Sequence, residues 1–193
     1  AACSPAPSSE DPAPARPNIL LIVADDLAYA DLGSYGGDIS TPHLDALAAR
    51  GVRFAQFHTA PMCAPTRAML LSGNDNHVAG MGSQGGGFGG RPGYEGHLSD
   101  RVVPFSRLLQ DAGYQTYSVG KWHLGTRPED SPTAVGFDRS FQMLQGGGDH
   151  FSDIALEEAD SVSSYWDDGE YGSWPEGGYS TEVYTDRLLG FIR

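Results

Sequence analysis

The chain has 193 residues, with 12 Lys plus Arg against 25 Asp plus Glu and a formal net charge of −13. That length suits one domain, and no apolar run approaches the ~18 residues that a membrane helix needs. The acidic balance argues against a general nucleic-acid binder, because phosphate backbones attract cationic surfaces. It still allows a small anionic substrate in a local cationic pocket, and it suits a bound divalent cation.

Residues 1–16 are mostly Pro, Ala and Ser with two acids, a composition that buries too little apolar surface to fold. We read them as a flexible tether. Its start, Ala1-Ala2-Cys3-Ser4, resembles the end of a bacterial lipoprotein signal, in which the cysteine is acylated after cleavage. Cys3 is therefore a candidate lipid-anchor site; the alternative is an incidental cysteine in a linker. Two cysteines, Cys3 and Cys63, are too few for a disulfide framework, and their settings differ too much for them to pair.

Residues 18–24, Asn-Ile-Leu-Leu-Ile-Val-Ala, form a continuous apolar run that predicts a strand buried on both faces of a parallel sheet. It ends at Asp25-Asp26, where an open α/β sheet keeps its ligand crevice. Adjacent carboxylates repel, so they favour a cation between them, and calcium or magnesium takes such oxygen ligands. Taken alone, the dipeptide also reads as a solvated turn.

Thr41 to Gly51 predicts a helix with Thr41 as N-cap, Pro42 at its first position and Gly51 as its stop. Leu44, Leu47 and Ala48 share one face. Phe54 to Thr59 reads as the next strand, so the order strand, helix, strand opens an α/β fold. His43 and His58 receive no role.

After Pro65 the sequence is compatible with a helix, which places Cys63 at or just before its N-terminus, where the dipole and free amides stabilise anions. Arg67 follows one turn later and can face the same site. A cysteine in that setting is a plausible thiol nucleophile. Tyr114 to Val119 predicts a strand with an alternating face. Lys121, the only lysine of the chain, and His123 follow it, spaced so that both can point to one side.

Cys63-Ala64-Pro65-Thr66-Arg67 matches the Cys-x-Pro-x-Arg signature of type I sulfatases. Asp25-Asp26, Thr41-Pro42-His43-Leu44-Asp45, Pro92-Gly93-Tyr94-Glu95-Gly96-His97-Leu98 and Gly120-Lys121-Trp122-His123-Leu124-Gly125 fall in sulfatase order around it. The chain from Pro17 to Arg193 resembles the amino-terminal part of a sulfatase catalytic domain, similar to bacterial arylsulfatases.

The resemblance implies an α/β, alkaline phosphatase-like fold with a mostly parallel central sheet flanked by helices, incomplete in this chain. It implies that a formylglycine-generating enzyme oxidises Cys63 to an aldehyde, whose hydrate attacks the sulfur of a small sulfate ester. The second hydroxyl then expels sulfate, so one hard step becomes two. By the same analogy Asp25 and Asp26, with residue 63, hold a divalent cation, calcium in bacterial arylsulfatases and magnesium as the alternative. Arg67 would hold the hydrated aldehyde, Lys121 would contact it or a sulfate oxygen, and His123 would serve as base for the elimination.

A leaving-group acid, an Asp-Asn pair of the cation site and a second lysine lie beyond Arg193 in sulfatases. These 193 residues alone are accordingly expected to be inactive and poorly stable. Two other functions stay open: a phosphonate monoester or phosphodiester hydrolase of the same superfamily, and a non-catalytic truncated lipoprotein. The acylated tether would place the protein in the periplasm or on the outer membrane, the cytoplasm being the alternative.

The remaining segments read plainly. His77, His97 and His150 sit near loop glycines and could line a pocket mouth. The run Gly85 to Gly90 lacks the Lys-Ser/Thr ending of a phosphate loop and reads as a surface loop. Asp160, Asp167, Asp168 and Glu170 read as a solvated face, and Thr181 to Arg193 as the start of an amphipathic helix.

Overall fold

A computed structural model of the chain describes residues 16–85, 88, 90–156 and 162–193. The predicted tether, with Cys3, lies outside the described residues apart from Arg16. So do Gly86, Gly87 and Gly89 of the glycine run, and Asp160. Among the described residues no helix is long and apolar enough to cross a membrane. The chain forms two compact units, residues 1–51 and 52–193.

Among its described residues the first unit contains one α-helix, α1 (Pro42–Arg50), with proline in its first turn as predicted. A short 3-10 turn at Gly33–Tyr35 packs on it. Asp45 joins the two: its carboxylate accepts from the Ser34 amide at 2.7 Å and from the Thr41 hydroxyl at 2.9 Å. The Thr41 side chain thus serves this clamp and makes no helix-capping bond.

The predicted strand over 18–24 is not formed. The segment has no regular structure, and Ile19 to Val23 stand 43–71% exposed. A strand exists only with a hydrogen-bonded neighbour, and this unit holds no other strand among its described residues. Leu44 and Leu47 of α1 are exposed for a related reason, since the unit offers no apolar layer to receive them. The strand predicted over 54–59 also fails to form. Phe54 and Phe57 are exposed and form a tilted ring pair.

The second unit is built on a four-stranded sheet in the order β1 (Tyr117–Lys121), β2 (Arg139–Met143), β3 (Tyr165–Asp167), β4 (Glu170–Gly172). β1 and β2 pair in parallel; the other two pairs are antiparallel, so the sheet is mixed. β1 begins three residues later than the sequence reading placed it. Every position of β1 is half-buried, not alternately buried and exposed, because it forms the edge of the sheet. β3 and β4 join through Asp168-Gly169, an Asp-Gly hairpin turn with Asp168 at φ 50°.

α2 (Cys63–Ser72), α3 (Phe105–Asp111) and α4 (Ser180–Ile192) flank the sheet. α4 packs on β1 and β2, as the amphipathic reading of 181–193 anticipated. One core cluster gathers Ala64 and Ala68 of α2 with Met81, Trp122, Leu124, Leu144 and Trp166. The other gathers Phe141, Met143, Tyr165 and Phe191, with Val183 and Tyr184 of α4 packed against it.

Phe141 is fully buried, stacked 5.7 Å from Tyr165, and covered at 4.4 Å by the Arg187 guanidinium. Arg187 in turn pairs with Asp167, and Arg139 pairs with Asp168. These two aspartates are therefore ion-paired staples of the sheet, not the solvated face that their spacing indicated. Phe141→Ala removes the stacked ring, and we expect it to lower stability by about 3–5 kcal/mol, read by urea unfolding.

Candidate active site

Cys63 is the first residue of α2, so its side chain starts at the positive end of a ten-residue helix. Buried Ala64, Pro65 and Ala68 hold that end of the helix in the core. The Thr66 hydroxyl donates back to the carbonyls of Met62 and Ala60, fixing the approach of the chain.

The opposite wall comes from the end of β1. The parallel ladder outlasts the strand: the amides of Trp122 and His123 donate to the carbonyls of Met143 and Leu144 at 2.8 and 3.2 Å. Trp122 is buried, and its indole N–H donates to the Asp130 carbonyl. With Trp122 locked inward, the residues on either side emerge together. Lys121 Nζ lies 3.3 Å from Cys63 Sγ, and His123 Nδ1 lies 3.3 Å from the same atom.

The sequence reading relied on strand alternation to bring these two side chains together. The structure uses another route, since Lys121 is the last strand residue and His123 adopts φ 59°. Positive φ is uncommon for a residue with a Cβ, and such conformers concentrate where a site needs them. Arg67, one turn along α2, donates from Nη1 to the Lys121 carbonyl at 2.6 Å and so ties the helix to the strand end.

Two neighbours escaped the sequence reading. Gln84 Oε1 lies 3.0 Å from Cys63 Sγ, on a loop that nothing in the sequence marked. Gly146 lies against the imidazole: a Cβ there would meet His123 Cε1 at 2.6 Å and Nε2 at 2.7 Å. The glycine is required by this close approach, a signal that sequence alone does not carry.

A cavity of about 380 Å³ opens beside this group, lined by Gln84, His97, His123, Arg127, Asp130 and Gln145, among others. Its walls are already paired. Arg127 grips the buried Asp130 carboxylate through Nε and Nη2 at 2.7 and 2.9 Å, and His97 Nδ1 approaches it at 3.3 Å. His77 and His150 do not line this cavity. His77 contacts Tyr94, and His150 bonds Ser180 at the start of α4. Glu95, also on the wall, accepts from Arg101 Nη1 at 2.7 Å and from the Gly93 amide.

Asp25 and Asp26 belong to the first unit and close its apolar run, with Asp26 at φ 55°. Their carboxylates are the hard oxygen donors that calcium and magnesium take, so the donor chemistry fits such an ion. Among the described residues no group of three or more His, Cys, Asp or Glu side chains is arranged to hold a metal.

Two outcomes follow from these contacts. The Arg101 hydrogen bond holds Glu95 down, from 4.5 to about 2. A depressed carboxylate stabilises the fold above its unfolded value, and that contribution drains away as pH falls from about 4.5 toward 2. The Glu95 carboxyl ¹³C shift should titrate near that lower value, and Arg101→Ala should raise the midpoint. Gly146→Ala should push the His123 ring off its position at a cost of about 1–3 kcal/mol, read as altered His123 imidazole NMR shifts.

The Sulfatase family model matches residues 17–193. The chain is 43% identical over 182 residues to an arylsulfatase of Klebsiella aerogenes, covering 92% of this chain and 39% of that enzyme. It is 51% identical over 144 residues to an uncharacterized sulfatase of Schizosaccharomyces pombe, covering 71% and 26% respectively. Among solved structures it resembles Ps i-CgsB, with a TM-score of 0.77, 31% identity, and coverage of 91% of this chain and 41% of that one. It also resembles a protein solved with its substrate D-glucosamine-2-N,6-O-disulfate, with a TM-score of 0.66, 32% identity, and coverage of 92% and 31%. The chain spans between a quarter and two fifths of these curated relatives. Its mixed open sheet and flanking helices are the corresponding part of an alkaline phosphatase-like fold, and the chain belongs to the sulfatase family.

Proposed function

We propose that the protein hydrolyses sulfate esters in the manner of an arylsulfatase, with residue 63 as its nucleophile. One observation carries this reading: Sγ of Cys63, at a helix N-terminus, lies 3.3 Å from both Lys121 Nζ and His123 Nδ1. An ammonium that donates, an imidazole that can do either, and the Gln84 amide oxygen that accepts make a polar nest too rich for a lone thiol. The same set suits a hydrated aldehyde with two hydroxyls. Once Cys63 is converted by a formylglycine-generating enzyme, that group supplies an oxygen nucleophile and a built-in means of release.

The protein's own residues do the rest. The α2 terminus and the Lys121 ammonium offset negative charge at residue 63 and on a sulfate oxygen beside it. His123 holds or removes the proton at residue 63, within reach of its Nδ1. Its ring stays aimed because its amide is bonded to Leu144 and Gly146 leaves room for it. Arg67 keeps the Lys121 carbonyl, and so the strand end, against the helix. Asp25 and Asp26 would hold a divalent cation, calcium or magnesium, which when bound draws electron density from a sulfate oxygen.

The arylsulfatase relative and the neighbour with a bound sulfated sugar both support a small sulfate ester as substrate. The acylated Cys3 tether, with export to the periplasm or outer membrane, belongs to the same proposal.

The test uses the protein at its full natural length, co-expressed with a formylglycine-generating enzyme, because these 193 residues alone are expected to be inactive. The Cys63 peptide should lose its thiol and gain a hydrazide-reactive carbonyl in the mass spectrum. Aryl sulfate should be cleaved faster than aryl phosphate or phosphonate, and Cys63→Ala should lower that rate by about 10³-fold or more. Faster turnover of phosphate or phosphonate esters would move the protein to the alternative hydrolase class. A thiol that remains unconverted, with no turnover of either ester, would leave only the non-catalytic reading.

A further inference from the structure

We propose that Gln84 is a further active-site residue, which fixes the nucleophilic group at position 63 by accepting a hydrogen bond from it. This rests on the reading of residue 63 as the nucleophile. Gln84 Oε1 lies 3.0 Å from Sγ, closer than either Lys121 Nζ or His123 Nδ1. It differs from both in kind, since an amide oxygen accepts a hydrogen bond but neither donates one nor takes up the proton. Lysine can only donate. A group with an O–H or S–H at position 63 needs an acceptor to orient its proton; His123 can accept it but is the group that removes it, whereas the Gln84 oxygen accepts the hydrogen bond and leaves the proton in place.

The loop that carries Gln84 is built to hold it there. Met81 is buried in the core cluster beside α2, and its amide donates to the Asn76 carbonyl. The next residue, Gly82, donates to the Gly93 carbonyl at 2.7 Å. The Ser83 hydroxyl then donates to the Gly85 carbonyl at 2.5 Å, closing a tight bend around residue 84. Gln84 also lines the 380 Å³ cavity, so it stands between the nucleophile and the space beside it. A side chain so placed sets the direction of attack. Its loss should lower kcat more than it raises KM, because ground-state binding of sulfate falls to the cationic groups.

The experiment has two readouts. The first uses unconverted protein alkylated by iodoacetamide at fixed neutral pH, with modification of the Cys63 peptide followed by mass spectrometry. An accepted hydrogen bond stabilises the thiol over the reactive thiolate. Gln84→Leu should therefore raise the alkylation rate about fivefold, the worth of one net hydrogen bond. Gln84→Glu keeps an acceptor oxygen and should react no faster than the parent. Equal acceleration in both variants would mean a loosened loop and would overturn the proposal, as would no change in Gln84→Leu.

The second readout uses converted protein and an aryl sulfate. Gln84→Leu should lower kcat about tenfold with KM changed less than about twofold. An unchanged kcat would overturn the positioning role. Parent protein that hydrolyses neither sulfate nor phosphate esters would sink the hydrolase reading, while alkylation still decides the contact at residue 84.

Discussion

The site depends on two backbone hydrogen bonds that run past the end of a strand. Trp122 and His123 donate to Met143 and Leu144 in continuation of the β1–β2 ladder, although β1 itself ends at Lys121. Without them the segment after Lys121 would be an ordinary loop. With them, Trp122 is driven into the core and the two residues flanking it are delivered to one sulfur atom. Arg67 completes the arrangement by joining the other wall, α2, to the Lys121 carbonyl. Charge, geometry and core packing thus meet over a few residues, and the rest of the second unit serves to hold the strand end against the helix start.

Conformational strain is concentrated in the same places. His123 and Asp26 both adopt positive φ, and each lies in a segment that the sequence marked as functional. The third such non-glycine residue, Asp168, sits in a hairpin turn where the geometry is routine. Positive φ in a hairpin satisfies a turn type. At His123 it re-aims a side chain that simple strand alternation would have aimed by another route. The cost of order 1–3 kcal/mol is borne by the buried Trp122 next to it.

Local signals were legible where the determinants are local. The helix at 42–50, the helix beginning at Cys63 and the helix over 180–192 follow from proline placement, a glycine stop and an amphipathic repeat. The two strands predicted over 18–24 and 54–59 do not form, because apolar runs announce a wish to be buried but cannot supply the neighbour that buries them. Asp167 and Asp168 look like a solvated acidic run until the fold brings Arg187 and Arg139 to them from other elements. Gln84 and Gly146 matter only through what folding sets beside them, so neither residue type nor spacing could have singled them out.

The scarcity of lysine has a consequence for handling the protein. Lys121 is the sole lysine, half-buried at the last position of β1 and flanked by paired backbone. Within these 193 residues a protease that cuts only after lysine therefore finds a single bond, Lys121–Trp122, whose amide is engaged with Met143 while the ladder holds. Cleavage must wait for the strand end to peel away from β2. The rate of that one cut is thus a clock for local opening at the very wall on which the sulfur's two nitrogen neighbours stand, and it needs no label, no ligand and no turnover.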